Sequence, residues 1–196
     1  MGCFLDKISA DIVNNCDHLA VAGIESDVIL IPYDVFSKAG TTVNVTNRMI
    51  LDDLVLNSGE AGFVLEGVKQ LNKFNTEFVP SEDSPDKWRH IFDGRIMSPS
   101  AVNRLQASKM TKGQSYLVVV HRKYKGVGNA DAFLVLGWDS GLYVTAMTEG
   151  SEENDGAIVF TLSSKDKFLE YDMGRNLLIG DYAATLTAFG NKFLAP

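Results

Sequence analysis

Tyr116-Leu-Val-Val-Val-His-Arg122, Ala132-Phe-Leu-Val-Leu-Gly137, Leu142-Tyr-Val-Thr-Ala-Met147 and Ala157-Ile-Val-Phe-Thr-Leu162 are four apolar runs that follow one another between Gln114 and Ser164. Each is short, rich in β-branched or aromatic residues, and bounded by Gly, Asp, Asn or Ser, which is the signature of a strand. Together they predict a meander of four strands joined by short turns, forming the wall of a sandwich or barrel.

Upstream, Val28-Ile-Leu-Ile31 is a further strand that Pro32 ends or confines to an edge, because proline cannot donate to a ladder. Thr41 to Thr46 alternates with period two and reads as a half-buried strand. Apolar residues from Met49 to Leu56 continue around Asp52 and Asp53, and Gly62–Leu71 with Phe74–Val79 makes one long strand or two short ones. Ser98-Pro99 opens a helix over about 98–112, with Ser98 as cap and Pro99 at its first position. Ala101, Val102, Leu105 and Met110 share a face of it, which predicts that it covers the open face of the sheet. Near the C-terminus, alternation of Tyr182, Ala184, Leu186 and Ala188 favours a last strand over a helix. The fold class expected is mainly β (α+β): two antiparallel sheets with one flanking helix, in a single domain over 1–196.

Two peripheral segments stand out. Phe4, Leu5, Ile8, Ile12 and Val13 have the spacing of a short amphipathic helix, broken by Asn14, Asn15 and Asp17. They read as an N-terminal arm, 1–15, that packs on a neighbouring element of its own chain; an arm that packs on a neighbouring subunit is the functional alternative. Pro80 opens the polar stretch Ser81–Lys87, so a loop or insertion is expected around 80–97.

The chain has 196 residues, two cysteines and a formal net charge of −7. A chain of this length buries roughly 70% of its unfolded surface and needs neither disulfides nor metal to hold a core. Cys3 and Cys16 form no framework; both free, as in a reducing compartment, is the expected state, with a bridge between them the alternative. There is no apolar run of about 18 residues to span a membrane. The N-terminus lacks the pattern of a secretory signal, and Asp6 stands where a myristoylation pattern wants Ser or Thr. Lys and Arg are scattered, which excludes a phosphate-tracking stripe for tight nucleic-acid binding.

No catalytic constellation emerges. His18, His90 and His121 have no second His or Cys at metal spacing, and each reads as structural. In Gly137-Trp-Asp-Ser140-Gly141 the serine falls one place too late for a nucleophile elbow, and a strand follows where a helix should, so a hairpin turn is the expectation. Lys125-Gly-Val-Gly128 has too few glycines for a phosphate loop. The acidic turn with Glu149, Glu152, Glu153 and Asp155 lacks the ligand spacing of a calcium loop. It reads as a hairpin tip in which Asn154-Asp155-Gly156 supply positive φ angles. Trp138 and Tyr143 flank one turn, as a sugar platform would, or as any packed hairpin end does. Catalytic, cofactor and metal residues are therefore each expected to be none.

The order of these patterns resembles that of tail-tube-type structural proteins of tailed bacteriophages, in particular phages of Bacteroides-type gut bacteria, including crAss-like phages. The resemblance lies in Asn15–Ile24 leading into Val28–Ile31, in Ala101–Lys109 leading into Tyr116–Val120, and in Ala132–Tyr143 followed by Asn154–Leu162. It implies a tail-tube-like fold and a non-enzymatic virion protein of the tail or neck, made in the cytoplasm of the bacterial host. It also implies a homo-oligomeric ring of roughly six or twelve subunits stacked with neighbouring tail or neck proteins. Genomic DNA would pass through without tight binding, and no membrane is involved. Arm 1–15 and the loop at 80–87 become candidate bridges between subunits or rings. The acidic residues Glu82, Asp83, Asp86, Glu149, Glu152, Glu153 and Asp155 become candidates for a subunit interface or a lumen that repels DNA. A β-sandwich module binding carbohydrate or another ligand is the alternative, and a small hydrolase a more distant one.

Overall fold

The computed structural model describes residues 8–68 and 71–195. Among them the elements run, in chain order, β1 (Ile24–Pro32), β2 (Ile50–Leu51), β3 (Phe63–Leu65), β4 (Lys73–Val79), β5 (Lys87–Ile96) and α1 (Ala101–Met110). They continue with β6 (Ser115–Arg122), β7 (Phe133–Leu136), β8 (Leu142–Glu149), β9 (Ile158–Ser163), β10 (Arg175–Leu177) and α2 (Tyr182–Gly190). The protein is mainly β.

The four runs quoted first are all strands, but they do not form a simple meander. β6 pairs with β1 along one side, from Tyr116 opposite Pro32 to Arg122 opposite Ile24. On its other side it pairs with β7 through Val118–His121, and with β8 through Ser115 and Tyr116 alone. β7 and β8 therefore lie end to end along β6, and the sheet forks there. One branch runs β7–β10–β2, the other β8–β9–β5–β4, and β3 lies outside β1. The expected hairpin at 138–141 is instead a corner that carries the chain from one branch to the other. The ladders are antiparallel except one: β10 and β2 run parallel, a departure from the expected antiparallel pairing.

Two cores follow from the period-two alternation of the strands. Tyr116, Val118 and Val120 face one core with Val28, Leu30, Leu134 and Leu136, closed by Phe92, Phe160 and Leu162 from the other branch. Gly94 stands opposite Phe160, and a Cβ there would meet the ring's Cζ at 2.4 Å, so the glycine makes room for the ring. Leu117 and Val119 face the second core with Ile29, Ile31, Phe133 and Val135, closed by Phe189 of α2 and by Phe36, Leu51, Leu54 and Leu56. The layer β1–β6–β7 is buried on both faces, which is why Val28–Ile31, Tyr116–Val120 and Phe133–Leu136 are unbroken apolar runs.

Several expectations are corrected. The C-terminal strand is the helix α2. Its alternating residues were misleading: the buried ones are Thr185 and Phe189, four apart and on one helical face. Asp181 caps it, its side chain accepting the Ala184 N–H at 2.7 Å. The helix at 98–112 is α1, shorter, with Ser100 and not Ser98 as its cap. It does not cover the sheet: only Ala107 is buried, while Val102 and Leu105 are 66% and 55% exposed. That role belongs to α2. Residues 41–46 form no strand beyond a single bridge from Val43 to Leu51, because the Asn44 side chain takes the N–H groups of Thr46 and Asn47 and turns the chain. The loop expected around 80–97 is confined to 80–86; Lys87–Ile96 is β5, paired on both sides.

Residues 8–23 carry no regular secondary structure. Ile8, Ile12 and Val13 are between 82% and 89% exposed, so this part of the arm does not pack on its own chain as expected. Residues 1–7, with Cys3, lie outside the described residues; Cys16 is free and exposed.

Candidate functional site

The structure does not bring the seven acidic candidates together. Glu149, Glu152, Glu153 and Asp155 sit at the β8–β9 tip, beside the Ile96 end of β5, where Ile96 pairs with Ile158. Glu82, Asp83 and Asp86 lie in the β4–β5 loop, beyond the opposite end, where Val79 pairs with Lys87. The ten residues of β5 separate the two groups, about 30 Å of strand. At the first tip, Asn154, Asp155 and Gly156 have φ of 55°, 57° and 74°, the positive angles the turn reading required. Glu149 accepts from Arg104 Nε at 2.9 Å, and Asn154 accepts from Arg95 at 3.1 Å, so two basic side chains already face this tip. In the second loop, Asp86 is turned inward to accept the Ser81 N–H at 2.9 Å. Among the described residues no group of three or more His, Cys, Asp or Glu is placed to hold a metal.

The aromatic pair does not make a platform. Trp138 is 5% exposed, packed edge-on against Phe36, with Lys38 and Arg175 over its ring. Lys165 covers Tyr143 at 3.8 Å from the ring centroid.

Three features of the surface remain open. The arm 8–23 presents Ile8, Ile12, Val13, Leu19 and Val21 to solvent. β4 ends its branch, with no further strand paired to it among the described residues, and Phe78 is exposed on it. Between the base of the arm and the start of β4 lies a cavity of about 330 Å³, walled by Val21, Ile24, Phe74, Lys73, Arg122 and Tyr124.

The chemically unusual place is the corner 137–141, which reads in the sequence as a hairpin turn. The chain leaves β7 there and cannot use a ladder, so side chains take its N–H groups. His90 Nδ1 accepts from Gly137 N at 3.1 Å. Glu170 accepts from Asp139 N at 2.6 Å with one oxygen and from Ser140 N at 3.2 Å with the other. The Tyr33 hydroxyl donates to the carbonyls of Trp138 and Asp139 at 3.0 and 2.7 Å. Glu170 and His90 are each 1% exposed. Burial pushes the Glu170 carboxyl up to about 7, with the neighbouring Asp139 charge adding to it and the two backbone N–H groups and Lys38 opposing. Burial lowers His90 to about 4, so it is the neutral imidazole, with Nδ1 accepting and Nε2–H donating to the Asp172 carbonyl at 3.0 Å. Tyr33 is pushed up to about 12, by burial first and then by Glu170 and Asp139. The sequence signal for Glu170 was its setting, a single carboxylate in Phe168-Leu-Glu-Tyr171. His121 is also structural: its ring stacks on Phe133 with centroids 4.5 Å apart.

Neither a family model, nor a curated protein, nor a solved structure matches this chain.

Proposed function

We propose that the chain is a non-enzymatic structural protein that joins copies of itself into a ring or tube segment, as in the tail or neck of a tailed phage. The reading is supported chiefly by the arm: a run of described residues carrying five exposed apolar side chains, attached to a mainly β body that does not use them. Exposed apolar surface of this kind is stabilised by burial against a partner. A free sheet edge at β4 and a cavity at the arm's base offer a neighbouring copy something to pair with and fill. The tail-tube-like resemblance of the strand order supplies the particular setting.

In this reading a ring multiplies the subunit charge of −7, and the acidic tips at opposite ends of β5 contribute to a bore that repels DNA mildly and lets it slide. The indole of Trp138 is buried, which removes the exposed platform a carbohydrate-binding module would use.

The test is the mass of the protein in solution across a concentration series, with negative-stain images of the largest species. Closed rings with a central hole wide enough for a duplex are the expected outcome. Removing residues 1–15 is expected to lower the assembly state while leaving the thermal midpoint within a degree or two, since the described arm residues touch little of their own body. Rings that form equally well without the arm, or a basic lumen in them, would overturn the reading.

A further inference from the structure

The corner 137–141 and the segment 165–174 each carry the chain directly from one branch of the sheet to the other. The second connects β9 to β10 and lies across the first. Of its ten residues only Glu170 and Gly174 are buried, and glycine has no side chain to anchor. Phe168, Tyr171 and Met173 all point largely into solvent. The strap therefore has one deeply buried side chain, Glu170. The rest of its hold is the reciprocal backbone pair between Glu170 and Trp88, at 2.9 and 2.8 Å, the Asp172 carbonyl held by His90, the Tyr171 N–H on Asp139 at 3.1 Å, and the ion pairs of Asp172 with Arg48 and Arg175 and of Asp166 with Arg89.

We propose that Glu170 and His90 form a latch holding strap 165–174 onto corner 137–141, and that the strap opens and closes as a unit on a fixed sheet. This goes beyond the assembly reading and does not rest on it.

Both groups gain water on opening, and they respond to pH with opposite signs. Closed, the Glu170 carboxyl keeps its proton up to about 7, whereas in water it releases it near 4.5. The closed state thus binds more protons between those values, and Glu170 alone favours opening as pH rises through that window. His90 stays neutral down to about 4 when closed but takes a proton near 6.5 in water, so it alone favours opening as pH falls. Each effect reaches roughly two orders of magnitude in the opening constant. In the shared window the proton that Glu170 loses is the one His90 gains, and the effects offset. The other charges facing the pair are ion-paired: Lys38 is on Asp139 at 2.9 Å, and Arg48 and Arg175 are on Asp172 at 3.0 and 3.2 Å. Tyr33 keeps its proton throughout this range.

The test is amide hydrogen exchange of Trp88, Asp139, Ser140 and Glu170 against the amides of β6, from pH 4.5 to 7.5, corrected for intrinsic rates. In the unaltered protein these four are expected to open together, well before β6, with an opening constant that varies less than about threefold over the range. Glu170→Gln should make opening increase at least tenfold as pH falls, and His90→Asn should make it increase at least tenfold as pH rises. Exchange of the four amides only together with β6 would overturn the latch. So would single variants that keep a flat profile, or a steep profile in the unaltered protein. The comparison with β6 and the flat profile need no variant, so the proposal can fail even if a variant does not fold.

Discussion

The layer β1–β6–β7 and the corner 137–141 touch each other, yet they are held by opposite means. The layer is apolar on both faces, and its backbone groups are satisfied by ladders on either side of β6. The corner has no ladder, so the N–H groups of Gly137, Asp139 and Ser140 are taken by an imidazole and a carboxylate that are each 1% exposed. Packing energy is spread over many side chains and is insensitive to pH. The corner concentrates its hold in two titratable groups, each costly to bury and more costly to leave unpaired. The body is therefore held by packing, and its crossover by a small set of side-chain hydrogen bonds.

The contrast can be broken most forcefully in the layer. Leu117 is fully buried between β1 and β7, and Leu117→Ala is expected to cost ~3–5 kcal/mol by leaving a cavity no neighbour can fill, measured by denaturant unfolding. The loss should be the same at pH 5 and pH 7.5. At the corner, Glu170→Ala strands the N–H groups of Asp139 and Ser140, an expected cost of ~1–3 kcal/mol, which should grow as the pH is lowered. The sign follows from the group removed: Glu170 burial costs least when the carboxyl is protonated, so its contribution grows as pH falls from 7 towards 4.5, and the alanine variant lacks that contribution. Equal losses at the two pH values would mean that the corner behaves as ordinary core. The smallest effect is expected where neither device operates: Arg104→Ala removes an exposed pair with Glu149 and should change stability by less than ~1 kcal/mol. A larger loss there would show that α1 is anchored by more than Ala107.

Legibility followed the same divide. Strands β1, β6 and β7 were readable because a strand buried on both faces is apolar through its buried run, and β8 and β9 because β-branched and aromatic residues bounded by turn residues mark them. The tip turn at Asn154–Gly156 was readable because three successive positive φ angles call for Asn, Asp and Gly. The α2 segment was misread as a strand because Tyr182, Ala184, Leu186 and Ala188 alternate, although burial falls on Thr185 and Phe189. Small residues on both faces of a short helix leave little periodicity to detect. Glu170 and His90 were unreadable as partners because they stand 80 positions apart, and each is unremarkable in its own neighbourhood.

By itself the sequence determined that the chain is mainly β, where strands β1, β6, β7, β8 and β9 run to within a few residues, and which turn carries left-handed residues, since these depend on local pattern and backbone sterics. Only the tertiary structure decided that the sheet forks at β6, that α2 rather than α1 covers it, that the acidic tips face opposite ways, and that a buried acid and base hold the crossover. Those outcomes depend on which distant segments meet, and a local pattern of side chains carries no record of that.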